Sequence, residues 1–78
     1  MKLSREVIKL LSEKSGRDVT TPVGADYLRN DIEATTGEPL SLNTVKRLTG
    51  LLPYDSEPRQ STLDILAGYI LSFILHKY

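Results

Sequence analysis

The stretch Ser41-Leu-Asn-Thr-Val-Lys-Arg-Leu-Thr-Gly50 decides the fold, because it predicts a short helix with two chemically different faces. Ser41 is a preferred N-cap residue, and Leu40 and Val45 stand at the two positions of a hydrophobic staple, so a helix should begin at Leu42. At about 100° per residue, the apolar side chains fall on one side of this helix. They are Leu42, Val45, Leu48 and Leu52.

The polar side of the same helix carries an amide, an ammonium and a guanidinium, from Asn43, Lys46 and Arg47. These groups on a short rigid helix can read base edges and bind phosphates in a DNA major groove. We expect Arg47 to contact guanine and Asn43 to contact adenine. The full set of predicted DNA contacts is Thr21, Ser41, Asn43, Thr44, Lys46, Arg47 and Arg59. The alternative is that Lys46 and Arg47 only form the solvated face of a core helix.

A second helix is predicted directly before this stretch. Thr21 is a suitable N-cap, and Pro22 follows at the first helical position, where its missing N–H costs nothing. The helix should run from Pro22 to about Thr35, with Gly37 as its C-terminal stop. Only Glu38-Pro39-Leu40 separates Gly37 from Ser41, which is the spacing of a helix-turn-helix.

The faces of this second helix also differ. Its predicted inner stripe is Ala25, Leu28 and Ile32. Gly24 is either a small cost to the helix or a place of close backbone approach. The outer residues are mostly acidic and would repel DNA if they faced it. They are Asp26, Arg29, Asn30, Asp31 and Glu33.

Helices are predicted at both ends of the chain. Ser4 should cap a first helix from Arg5 to about Ser15, ended by Gly16, with Val7, Ile8 and Leu11 inward. The polar stretch Pro53 to Gln60 predicts a loop. Ser61 to Asp64 then has the pattern of a capping box, opening a last helix that reaches about His76.

The last helix is apolar almost all round, with a polar strip of Asp64, Gly68, Ser72 and His76. Its apolar run is shorter than the roughly 20 residues that span a bilayer, so we expect no membrane span. It is a central core helix, a helix that also buries a face in a partner, or a helix that the remainder of a longer protein covers. We favour the second interpretation, an isologous homodimer through Ile70, Phe73 and Ile74.

Composition excludes several classes of protein. The chain has 78 residues, enough for a single domain, with ten basic and ten acidic residues and no net charge. That balance counts against a nonspecific nucleic-acid coat. With no cysteine and one histidine, we expect no disulfide, metal site, cofactor or enzymatic activity. No signal peptide is recognisable, so a cytoplasmic location is expected.

Two motifs carry a resemblance to known families. The order of helices resembles the Cro and C1 repressor-like domains, in which the second and third helices bind DNA. The chain is also similar to an uncharacterised family of small, often N-terminal, helix-turn-helix-like domains. Its motifs are Ser-x-x-Thr-Leu-Lys-Arg-Leu-x-Gly and Pro-Arg-x-Ser-Thr-Leu-Asp-x-Leu-Ala-x-Tyr. Here they correspond to Ser41–Gly50, with Val45 for leucine, and Pro58–Tyr69.

The resemblance implies an all-α fold of four to five helices. The chain departs from the family at Thr49, where an aromatic residue is usual, and at Leu71, Ser72 and Leu75, which let the last helix run on. The expected function is sequence-specific DNA binding in transcription regulation. The alternative is a protein-interaction or dimerisation module on the same scaffold, alone or as part of a larger protein, in which Lys46 and Arg47 pair with Asp55 or Glu57.

Overall fold

The computed structural model describes residues 3–53 and 57–77, and these residues form four α-helices and no strand. The helices are α1 (Arg5–Ser15), α2 (Pro22–Thr36), α3 (Leu42–Thr49) and α4 (Gln60–Lys77). The all-α prediction is confirmed, and the first three helices begin at the predicted residues.

Hydroxyl side chains cap the first three helices. The side chain of each N-cap residue accepts a backbone N–H bond from the first turn, at 3.0–3.3 Å. These residues are Ser4, Thr21 and Ser41. Gly37, with φ of 75°, ends α2 in the left-handed region that glycine adopts without strain. Its amide donates to the carbonyl of Glu33 at 2.8 Å, so the chain leaves α2 in a defined direction.

Helix α2 lies at the centre of the molecule and contacts α1, α3 and α4. Its predicted inner stripe is fully buried, which confirms that part of the sequence analysis. The hydrophobic core is completed by residues from the other helices and from the α1–α2 connector. The core residues are Leu11, Val19, Ala25, Leu28, Ile32, Val45, Leu48, Leu66 and Tyr69.

Gly24 lies where the backbone of the α1–α2 connector closely approaches α2. A Cβ atom at this position would stand 1.8 Å from the carbonyl oxygen of Asp18. The same oxygen accepts a hydrogen bond from the Thr21 hydroxyl at 2.9 Å. The α1–α2 connector is therefore packed against the first turn of α2, and glycine is required there for close approach.

Two predictions about polar residues were wrong. Ser61 is not the N-cap of α4, because the helix begins at Gln60 and the amide of Leu63 already donates to the Arg59 carbonyl at 3.1 Å. Asp64, expected to close a capping box, instead accepts a bond from Gln60 Nε2 at 2.9 Å. Asp31, expected on the solvated outer face of α2, is partly buried between α1 and α4.

Asp31 belongs to a polar cluster with Lys14 and Tyr69. Its Oδ2 atom lies 3.4 Å from Lys14 Nζ and accepts a hydrogen bond from the Tyr69 hydroxyl. Lys14 Nζ also stands 5.1 Å from the centre of the Tyr69 ring. Burial raises the pKa of the Tyr69 phenol well above its usual range, and the hydrogen bond to Asp31 raises it further. The cluster joins α1, α2 and α4 beside the apolar core.

Helix α4 has one face in the core and one in solvent. Thr62, Leu66 and Tyr69 are buried, whereas the side chains on the opposite face are exposed. Of the predicted dimer residues, Ile70 packs against the core, Phe73 is half-buried and Ile74 is exposed. None of the helices in the described ranges has the length and apolarity that a membrane crossing requires.

Candidate nucleic-acid interface

Helix α3 is held firmly against the rest of the protein. Val45, Leu48 and Thr49 are buried on its inner face. At its C-terminal end, the carbonyl of Lys46 accepts bonds from the amides of Leu51 and Leu52 at 2.8 and 3.2 Å. Thr49, which stands where the resembling family has an aromatic residue, donates its hydroxyl to that same carbonyl at 3.3 Å.

The N-terminal segment adds a further constraint on α3. The amide of Leu3 donates to the carbonyl of Leu48 at 3.1 Å, and the Leu3 side chain packs against the core. Because Leu48 lies in the last turn of α3, this bond fixes the end of the helix. These bonds hold the C-terminal end of α3, and the Ser41 cap holds its start, so the orientation of its outward side chains is set.

Asn43 and Arg47 occupy the middle of the outward face of α3. Both are exposed, and residues four apart are neighbours on a helix surface. Lys46 and Thr44 are half-buried and lie at the two margins of this face. We call Asn43, Thr44, Lys46 and Arg47 the α3 polar face. It contains four of the seven predicted DNA contacts side by side.

The α3 polar face has no acidic partner within residues 3–53 and 57–75. The ion pairs recorded there join Lys14 to Asp31 and Arg29 to Asp26, at 3.4 and 2.8 Å. The predicted pairing of Lys46 or Arg47 with Glu57 is therefore not formed. Its alternative partner, Asp55, lies outside the described residues.

The hydroxyl groups of Ser41 and Thr21 already form hydrogen bonds within the protein. Ser41 Oγ accepts from the Thr44 amide and donates to Thr44 Oγ1 at 2.8 Å. Thr21 Oγ1 accepts from the Gly24 amide and donates to the Asp18 carbonyl. A phosphate needs donors, and both of these hydroxyl hydrogens are engaged. Thr44 accepts from Ser41 and keeps its own hydroxyl hydrogen.

Arg59 and Thr21 lie on other elements than α3. Arg59 is exposed directly before α4, and Thr21 is exposed at the start of α2. No hydrogen bond or ion pair recorded among the described residues joins either side chain to the α3 polar face. The structure therefore groups the α3 residues, whereas Thr21 and Arg59 lie on other elements.

The outer face of α2 is less acidic in effect than its sequence suggests. Asp26 forms an ion pair with Arg29 one turn away, and Asp31 forms an ion pair with Lys14 and accepts a hydrogen bond from Tyr69. Glu33 remains exposed on this face. The expected repulsion of DNA by α2 is correspondingly reduced.

Arg17 makes a contact that its place in the sequence does not predict. The guanidinium carbon of Arg17 lies 4.9 Å from the centre of the Tyr27 ring, a cation–π arrangement. Tyr27 is exposed on the second turn of α2, one turn after exposed Val23. The sequence gives little sign of this contact, because the spacing of Arg17 and Tyr27 does not indicate that the α1–α2 connector folds back over α2.

The connector between α2 and α3 comprises residues 37–41, slightly longer than the typical three- to four-residue turn of a helix-turn-helix. Thr36 stabilises it by donating its hydroxyl to the Ile32 carbonyl at 2.8 Å and accepting from the Glu38 amide at 3.1 Å. The tight connection was predicted, but this side-chain brace was not.

No family model, curated protein or solved structure matches the chain. The resemblance to Cro and C1 repressor-like domains therefore stays a prediction. Within the described part of the chain, no group of three or more His, Cys, Asp or Glu is arranged to hold a metal ion.

Proposed function

We propose that the protein is a sequence-specific DNA-binding module that regulates transcription in the cytoplasm. In this proposal α2 and α3 are the helix-turn-helix of a Cro/C1 repressor-like fold, and α3 enters the major groove. The observation that carries the proposal is the α3 polar face, where Asn43 and Arg47 stand exposed one turn apart, opposite the buried side of the helix.

In this proposal, Asn43 and Arg47 in the middle of the α3 polar face recognise the bases. The guanidinium of Arg47 can donate two hydrogen bonds to O6 and N7 of guanine, and the amide of Asn43 can bind N6 and N7 of adenine. The eight residues of α3 make a helix about 12 Å long. A helix of this length presents both side chains to neighbouring base pairs without bending.

The other predicted contact residues bind phosphate groups in this proposal. Lys46 and the free hydroxyl hydrogen of Thr44 flank the base-reading pair, and Arg59 supplies a separate positive charge. Ser41 and Thr21 act mainly through the helix starts that they cap, where backbone N–H groups favour an anion. Since the net charge of the chain is zero, affinity depends on these local contacts.

A second candidate function is a protein-interaction module on the same scaffold. The specific observation in its favour is the exposed apolar face of α4, which includes Leu71 and Leu75. The absence of net charge is also easier to reconcile with a protein partner than with DNA. This function does not require the α3 polar face to bind anything.

An NMR amide titration with a short mixed-sequence duplex, at low and then at higher salt, separates the two candidates. DNA binding predicts salt-sensitive shifts clustered on Ser41–Gly50 and near Thr21. The Arg47→Ala variant should weaken these shifts, whereas Lys9→Ala, which removes a charge from the exposed side of α1, should not. An absence of shifts on α3 at low salt would overturn the DNA-binding proposal in favour of the interaction module.

A further inference from the structure

The outward surface of α4 is unusual for a helix that faces water. We call Ala67, Gly68, Leu71, Ile74 and Leu75 the outer α4 face; all five residues are exposed, diametrically opposite buried Leu66 and Tyr69. Leu71, Ile74 and Leu75 are 55%, 37% and 72% exposed. No charged residue lies between Asp64 and Lys77. Contiguous exposed apolar surface of this kind marks an interaction site.

The two halves of the outer α4 face have different shapes. Its C-terminal half is a ridge formed by Leu71, Ile74 and Leu75. Its N-terminal half is low, because Ala67 and Gly68 have little or no side chain, and a Cβ atom added at Gly68 would meet nothing within 4 Å. An open groove of about 390 Å³ continues from Gly68 towards Thr36 and Glu38 at the end of α2.

We propose that the outer α4 face is the interface of a homodimer in which the α4 helices of two copies pack antiparallel about a twofold axis at Leu71. An antiparallel pair centred on this residue sets Leu71 against its own copy. Four positions further along, Leu75 of one copy meets Ala67 of the second copy. Three positions along, Ile74 meets Gly68 of the second copy.

A second copy is the occupant that fits this face because the face is complementary to itself. The large residues of each ridge meet the small residues of the other low half, so large and small side chains interdigitate and the helices can approach to about 8–10 Å. A parallel pair would set Leu75 against Leu75 and leave Ala67 and Gly68 facing each other across a gap. The residues around Leu71 also offer no charge with which to select an acidic or a basic partner.

This interface differs from the one expected from sequence. Ile70 packs against the core of its own chain and is only partly exposed, so it lies at the edge of the outer α4 face. Ile74 is common to both interfaces. The proposed dimer does not depend on DNA binding, and both tests below are made without DNA, so failure of one proposal leaves the other standing.

Sedimentation equilibrium over a wide range of protein concentration tests the dimer. We expect a monomer–dimer equilibrium whose dissociation constant rises at least tenfold in Leu71→Glu and in Gly68→Leu. Gly68→Leu is informative because a Cβ atom at this position meets nothing within 4 Å in the single chain, so we expect the fold to be kept while the low half is filled. The control is Val23→Glu, an exposed apolar position on α2, which should leave association unchanged. A chain that stays monomeric, or unaltered association in both α4 variants, would overturn the proposal.

Cysteine cross-linking tests the antiparallel arrangement, since the natural chain has no cysteine. Leu71→Cys should form a disulfide-linked dimer by itself. Ala67→Cys and Leu75→Cys should cross-link when mixed but not separately. In the antiparallel pair Leu75 faces Ala67 of the second copy, and Leu75 of that copy lies eight residues further along its helix, about 12 Å away along the axis. That displacement exceeds the reach of a disulfide. Efficient cross-linking of Leu75→Cys alone would overturn the antiparallel arrangement.

Discussion

The buried phenol of Tyr69 donates a hydrogen bond to the carboxylate of Asp31, and so joins the last helix to the middle of α2. Lys14 from α1 reaches the same carboxylate oxygen. Three helices therefore meet at one charged group at the edge of the core. Asp31 has a cation and a donor as partners, which is the condition for a partly buried carboxylate to be tolerated.

The Tyr69→Phe substitution measures the contribution of this hydrogen bond. Hydrogen bonds to charged groups contribute about 1.5–3 kcal/mol. We expect the free energy of unfolding in urea to fall by an amount near the low end of this range, because Asp31 keeps Lys14 and some contact with water. Tyr27→Phe, which removes a hydroxyl from an exposed ring, should have almost no effect. Equal stability of the two variants would contradict a stabilising role for the bond.

The raised pKa of Tyr69 makes stability depend on alkaline pH. An unfolded tyrosine loses its proton near pH 10, whereas the folded protein holds the Tyr69 proton to higher pH. Above about pH 10 the unfolded state therefore binds fewer protons, and the free energy of unfolding falls as pH rises. Below this pH the contribution is fully present. Urea titrations from pH 7 to 11 should show a smaller decline in Tyr69→Phe than in the natural protein.

Gly24 and Gly68 form a matched pair for testing close approach. Gly24→Ala would drive a methyl group into the Asp18 carbonyl, and overpacking of this kind costs about 1–3 kcal/mol or more. Gly68→Ala has open space around it and should gain about 0.5–1 kcal/mol from helix propensity. Urea denaturation at a concentration low enough to keep the chains monomeric compares them. A stable Gly24→Ala variant would show that the α1–α2 connector can move away from α2.

Under the proposed DNA-binding function, the Arg47→Ala and Lys46→Ala variants separate the loss of base recognition from the loss of phosphate binding. Loss of a bidentate contact to guanine should cost about 1–3 kcal/mol and relax specificity at one base pair. Loss of a phosphate contact should weaken binding to all sequences and lower the slope of log K against log salt by about one. Selection from a randomised duplex, followed by binding measurements at several salt concentrations, checks both. An unchanged site preference in Arg47→Ala would remove Arg47 from the reading role.

The first three helices could be predicted from sequence because their boundary signals are local. Ser4, Thr21 and Ser41 each bond to an amide in the first turn of their own helix. The first turn of α4 was misassigned although its signals are also local. The sequence allows α4 to begin at Gln60 or just after Ser61. The hydrogen bond from Gln60 to Asp64, four residues later, favours the start at Gln60.

Other features depend on parts of the chain that come together only on folding. Asp31 and Tyr69 are separated by 38 positions. The helical period of α2 places Asp31 near its polar side and gives no sign that α1 and α4 pack beside it. The α3 polar face was predictable from the period of α3 alone. The engagement of the Thr21 hydroxyl was not, since it requires the Asp18 carbonyl to turn towards α2.

The central position of α2 also determines which parts of the protein can unfold separately. Because α2 contacts each of the other helices, the buried amides of its middle turns can exchange with deuterium only when the fold as a whole comes apart. Exchange at Ile32 should then report the same free energy as urea unfolding. Amides of α3 can exchange through a smaller opening, in which α3 leaves α2 while the remaining helices stay together.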